Sequence, residues 1–199
     1  MASDISWSEI KKELLRLNQE ETLKLLKDLH DASASNKTFL QARVLKGEVV
    51  LDDYEARIYT AFFSRSKYGP TDGYPKLREG KAVLSEFKKA RPQDLQNYLD
   101  LQLYYIETGT SLTRQYGDMY ESFYDSLLSV MGDVAKVLEK PENNTLYTYF
   151  LPRLKHLYRD GDGFGWGYSD ALQDLLESIA EAHGGRDVFP KRSWQATVQ

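Results

Sequence analysis

Apolar side chains recur at three- and four-residue intervals along almost the whole chain, with no sustained alternation, so the pattern predicts helices throughout. Ser6-Trp7-Ser8-Glu9 opens the first as a capping box, with Glu9 placed to reach back to Ser6, and Ile10, Leu14 and Leu17 follow on one face. Asn18-Gln19-Glu20-Glu21 repeats the start signal ahead of Thr22, Leu25, Leu26 and Leu29, so two short amphipathic helices in succession predict an αα-hairpin. A third helix is expected over 36–46, with Phe39, Leu40 and Val44 inside and Gly47 at its end. Asp52-Asp53 open a fourth that turns Tyr54, Ile58, Tyr59, Phe62 and Phe63 inward.

Residues 64–75 break the pattern with the turn dipeptides Gly69-Pro70, Asp72-Gly73 and Tyr74-Pro75. A helix over 76–90 follows, and Pro92 fits the first turn of the next. Residues 95–106 are apolar nearly all round, which places that helix in the middle of the packing. The longest stripe runs over 120–138. Pro141 marks its end, a helix over 146–158 is expected to kink at Pro152, and the last begins near Ser169 and stops at Gly184-Gly185. The expected fold is all-α: about nine short-to-medium helices packed as αα-hairpins, in a bundle or a short superhelical stack. One helical domain is expected over 1–183, with a C-terminal tail over 184–199.

A chain of 199 residues fits one domain and can bury a core without disulfide or metal support. It has no cysteine, which removes disulfides, thiolate catalysis and cysteine-ligated metals. No run of about 18 apolar residues predicts a membrane span, and the opening residues lack the basic and apolar regions of a signal peptide, so a cytoplasmic location is expected. Charge is uneven. Residues 1–91 carry 17 Lys and Arg against 14 Asp and Glu, and residues 92–199 carry 9 against 16. Neither half is basic enough to require nucleic acid.

Several elements are specific enough to compare. They are Ile10-Lys11-Lys12-Glu13-Leu14 with Gln19-Glu20-Glu21-Thr22-Leu23, then Tyr116-Gly117-Asp118, Phe123-Tyr124-Asp125-Ser126-Leu127 and Gly165-Trp166-Gly167-Tyr168-Ser169-Asp170. In this order, over residues 6–182, the chain resembles a bacterial family of small all-helical proteins grouped as a domain of unknown function. The resemblance implies a helical fold and brings no assigned activity, cofactor or site residue.

The candidate chemistry is sparse. Asp160-Gly161-Asp162-Gly163 begins like a calcium loop, but Phe164 and Ala171 stand where the third and last ligands belong, so a turn with solvated carboxylates is the expectation. Gly163, Gly165 and Gly167 ahead of a helix suggest a phosphate cradle, against which Asp160, Asp162 and Asp170 would repel the anion. The structural reading has Trp166 plugging into the core and Ser169 capping the last helix. His30, His156 and His183 have no metal-binding neighbours at helical spacing, so no metal and no cofactor are expected. Asp170, Asp174, Glu177 and Glu181 share one helix face and read as a solvated edge.

Two further clusters carry alternatives. Arg65, Lys67, Lys88, Lys89 and Arg91 lie in a basic stretch over 65–91 interleaved with Tyr68 and Tyr74, the composition of a nucleic-acid surface. Residues 109–118 bring two glycines, hydroxyls and Arg114 between two apolar helices, as a polar corner or the rim of a pocket shared with 163–168. Arg114, Tyr116, Asp118 and Trp166 are the candidate ligand or partner residues there, with Arg114 and Asp118 four apart and paired if the segment is helical. No catalytic set is read. The preferred function is a non-catalytic helical protein-interaction or scaffold module whose partner is another protein. A nucleic-acid-associated protein and a small-ligand binder or enzyme remain as alternatives.

Overall fold

The computed structural model describes residues 5–45, 49–63, 74–185 and 188–190. Among them every regular element is helical, in the order α1 (Trp7–Leu14), α2 (Gln19–Ala32), α3 (Ala34–Val44), α4 (Val49–Phe62), α5 (Leu77–Ala90), α6 (Leu95–Tyr116), α7 (Glu121–Leu138), α8 (Asn144–Asp160) and α9 (Tyr168–Ala182). The all-α expectation holds. The chain divides into two compact units, 1–47 and 48–199.

In the first unit the start signals act as read. The Glu9 carboxylate accepts from both the Ser6 amide and its hydroxyl at 2.8 Å, which holds its pKa below the ordinary value. Asn18 and Glu21 exchange side-chain and backbone bonds at 2.8 and 2.9 Å, a complete capping box. The α2–α3 corner is closed by Ser33, which accepts from the Asn36 amide at 3.1 Å, and by the Asn36 side chain on the Leu29 carbonyl at 2.8 Å. The expected stop at Gly47 lies outside the described residues.

The second unit is built around α6, which packs against α4, α5, α7 and α8, while α9 covers α7 and α8. Leu99, Leu101, Leu103, Tyr105 and Ile106 of α6 are fully buried, as an all-round apolar helix should be. Residues 108–116 prolong α6 to 22 residues; they do not interrupt it as expected. Thr108 and Thr113 turn their hydroxyls onto the carbonyls four residues back, at 2.6 and 3.3 Å, so neither buried hydroxyl is orphaned in the helix. Gly109 is required by proximity: a Cβ there would lie 2.6 Å from Leu127 Cδ2 and 3.1 Å from Phe62 Cε1.

Rings fill the centre. Phe62 lies 4.8 Å from Tyr105 and Tyr124 lies 5.0 Å from Tyr168, centroid to centroid. The Tyr105 hydroxyl shares a 2.8 Å bond with Ser126, and burial pushes its phenol up to about 12. The described part of the expected tail lies over α8. Phe189 is buried, its ring 5.6 Å from Tyr158, whose hydroxyl donates to the Pro190 carbonyl. Residues 191–199, Trp194 among them, lie outside the described residues.

Candidate functional site

The glycines at 117 and 163–167 meet across the α6–α7 corner. Gly117 ends α6 with φ of +93°, sending Asp118 and Met119 toward the α8–α9 loop. The Asp118 carboxylate accepts from the Tyr124 hydroxyl and from the Gly165 amide at 3.3 Å. The Met119 carbonyl accepts from the Trp166 indole at 2.8 Å. A side chain at Gly165 would collide with the Asp118 carboxylate, so glycine there permits the stitch. The Gly165 amide of the candidate phosphate cradle is thus turned to the chain's own anion.

Three local expectations are corrected. Arg114 does not pair with Asp118; its guanidinium donates to the Asp160 carboxylate and carbonyl, both at 3.2 Å, because Gly117 breaks the helical register between 114 and 118. Trp166 does not plug the core: it adopts a left-handed φ of 57° and is 61% exposed, its indole N–H donating to the Met119 carbonyl. Ser169 does not cap α9, whose N-cap is Gly167. Buried within the first turn, its hydroxyl accepts from the Phe164 amide at 3.0 Å and donates to the Gly161 carbonyl at 2.8 Å.

Arg114 and Asp118, with Thr113, Asp162 and Phe164, line a cleft of about 350 Å³. Arg114 also borders a second cleft of about 440 Å³, with Glu107, Ser111, Arg153, His156 and Asp160. Tyr116 lines neither; it is 40% exposed, its ring 6.4 Å from Phe63. Among the described residues no group of three His, Asp or Glu side chains could hold a metal. Each histidine has a local partner: His30 with Asp31, His156 with Arg159 and His183 with the Leu138 carbonyl.

Sequence reasoning missed one ionic cluster. Arg153 of α8 makes a bidentate pair with Glu107 at 2.7 and 2.8 Å and also holds Asp100, both on α6. The three side chains are a quarter to a third exposed. Glu55 of α4 sits near this cluster, and burial, then the Asp100 and Asp52 charges, raise its pKa above the ordinary carboxylate value. Asp100 and Glu107 lie seven apart, two turns of one helix face, which is the sequence signal; their partner some fifty residues away has none.

Of the basic candidates, Arg65 and Lys67 lie outside the described residues. The Lys88 ammonium stands 5.2 Å from the Tyr98 ring centroid, Arg91 pairs with Asp94 at 3.1 Å, and Lys89 is exposed. Two of these three cations are therefore engaged within the fold.

The first unit presents a different surface. Neither α1 nor α2 has a buried residue, and Ala42 of α3 is the one buried side chain among residues 5–45. Trp7 and Ile10 on α1, and Leu25, Leu26 and Leu29 on α2, are between 36 and 67% exposed, each set on one helix face. The Lys27–Asp31 pair, 2.5 Å, occupies the other side of α2.

No family model, curated protein or solved structure matches this chain. Within the second unit, the motif residues Phe123, Tyr124, Ser126 and Leu127 are all buried. No helix among the described residues is long and apolar enough to cross a membrane.

Proposed function

We propose that this protein is a non-catalytic interaction module: a packed helical body, residues 49–190, carrying a segment, residues 5–45, whose apolar face docks on protein. One observation carries the reading. Helices α1 and α2 have the strongly one-sided pattern of helices built to be covered, yet none of their side chains is buried. Apolar side chains gathered on one helix face and left exposed are a usual mark of an interaction site. A photo-crosslinking residue replacing Leu26 is expected to give protein adducts in the native host, whereas one replacing Glu20, on the charged side, gives none. Equal yields at the two positions, or none at either, would overturn the proposal.

A second reading, a small-ligand site, draws on the meeting of residues 113–118 and 162–164 around one cleft with Arg114 at its rim. Ligands that bind the folded state raise its melting temperature. A panel of small carboxylates and phosphates is expected to shift the wild type and to spare Arg114→Ala; no shift with any compound removes this reading.

A further inference from the structure

We propose that a cleft of the second unit, where the end of α5, the first half of α6 and the end of α7 meet, binds a small organic monocarboxylate with a flat apolar body and one hydrogen-bonding group. Gln102 sets this cleft apart from ordinary surface. The residue is 2% exposed, yet its side-chain oxygen has no hydrogen-bond partner among the described residues. A buried amide left unserved costs stability, so native folds keep few of them, and those they keep call for an explanation. Two other buried atoms without a partner, on Arg57 and Gln173, belong to side chains that already donate to Glu86 and Glu177. Gln102 instead lines a cleft of about 260 Å³, together with Leu95 and Tyr98 on the same face of α6.

The walls set the character of the ligand. Leu95, Tyr98 and Val137 give the cleft an apolar side, and its volume falls below that of a usual drug-sized pocket, which suits a single ring. At the rim stand three cations, Lys88, Arg91 and Lys136, and two carboxylates, Asp94 and Asp133. Arg91 pairs with Asp94 at 3.1 Å and Lys136 with Asp133 at 2.8 Å. The exposed Lys88 ammonium, 5.2 Å from the Tyr98 ring centroid, has no carboxylate partner among the described residues. The rim thus carries one positive charge in excess. A singly charged carboxylate balances it, whereas a doubly charged phosphate overcompensates and is repelled by Asp94 and Asp133. Tyr98 and Gln102 stand one turn apart on α6, so an anion held at Lys88 lays its body along the Tyr98 ring and points its far end toward Gln102. The last torsion of a glutamine is soft, so its amide can turn either the oxygen or the N–H group to that end.

The probe is 4-hydroxybenzoate, which joins a ring, a carboxylate and a hydroxyl; its roughly ten heavy atoms support a Kd of about 1 mM or tighter. Titrations of the full chain are read by two-dimensional NMR, with melting temperature as a second measurement. Wild type is expected to bind 4-hydroxybenzoate about tenfold more tightly than benzoate, which has nothing to offer Gln102. It should also prefer the probe about fivefold over 4-hydroxybenzyl alcohol, which lacks the charge. Lys88→Met, at an exposed position, should weaken the probe about fivefold and leave the fold unchanged. Gln102→Met should erase the preference over benzoate and, because no hydrogen bond is lost, leave the melting temperature of the ligand-free protein no lower than wild type. No saturable response up to about 10 mM 4-hydroxybenzoate overturns the proposal, as does an affinity unmoved by Lys88→Met. Equal binding of inorganic phosphate overturns the assigned ligand class. A ligand-free melting temperature that falls in Gln102→Met shows the amide to be served within the fold, and that too overturns the proposal.

Discussion

Replacing Gly109 by alanine sets two known effects against each other. In an exposed helix interior, Gly→Ala is stabilising by about 1 kcal/mol, because alanine loses less backbone freedom on folding. At position 109 the new methyl would lie 2.6 and 2.9 Å from the two terminal carbons of Leu127 and 3.1 Å from Phe62 Cε1. Leu127 is fully buried, so its rotamer cannot swing into solvent. Forcing one extra carbon into a packed core costs about 1–3 kcal/mol, so the net change is a destabilisation of about 1 kcal/mol. For a unit of this size that lowers the melting temperature by about 2–4 °C. Gly132 supplies the control on α7: nothing lies within 4 Å of its added Cβ, so Gly132→Ala should raise stability by about 0.5–1 kcal/mol. Thermal and urea melts of the two variants and the wild type read both changes. If Gly109→Ala stabilises as Gly132→Ala does, the close approach of α6 to α4 and α7 is not as described.

Other substitutions test the corner and the ionic cluster. Asp118→Ala removes the acceptor of the Tyr124 hydroxyl and the Gly165 amide and should cost about 1–2 kcal/mol, whereas Arg114→Ala breaks an exposed pair and should stay within about 0.5 kcal/mol in urea unfolding. Arg153→Met leaves Asp100 and Glu107 without their counter-charge; partial exposure lets water recover some of the loss, so about 2–3 kcal/mol is expected by the same measurement. Glu55 has a folded pKa raised by burial, then by the Asp100 charge, so the folded state binds more protons than the unfolded one just above the ordinary glutamate range, and stability falls as pH rises through that window. Glu55→Gln should therefore raise the melting temperature at pH 7, with the gain vanishing below about pH 4; a gain that persists in acid would contradict this assignment.

The helices were legible wherever one face was apolar and a start signal stood ahead of it, as at Asn18 for α2 and along the whole of α7. Residues 108–116 were not. Their hydroxyls and Gly109 resemble a turn in sequence, and only packing reveals that the hydroxyls bond back into the helix and the glycine admits Leu127. Trp166 misled for the opposite reason: a large apolar ring is usually core, but here a left-handed backbone and a hydrogen bond to the Met119 carbonyl hold it outside. The Arg153 cluster joins positions 46 and 53 residues apart, a separation over which periodicity carries no information. A pocket shared by 109–118 and 163–168 was one reading of the sequence, and the partner of each charged residue there was not legible in it.

The central place of α6 has a consequence for the order in which the molecule opens. Amides of residues 99–113 are walled by four other helices, so in deuterium they should exchange through complete unfolding of their unit. Those of residues 7–32, in helices with no buried side chain, should exchange through local fraying, orders of magnitude sooner unless a partner seals them. Slowed labelling there, and not at α6, would be the fingerprint of any protein settling on the first two helices.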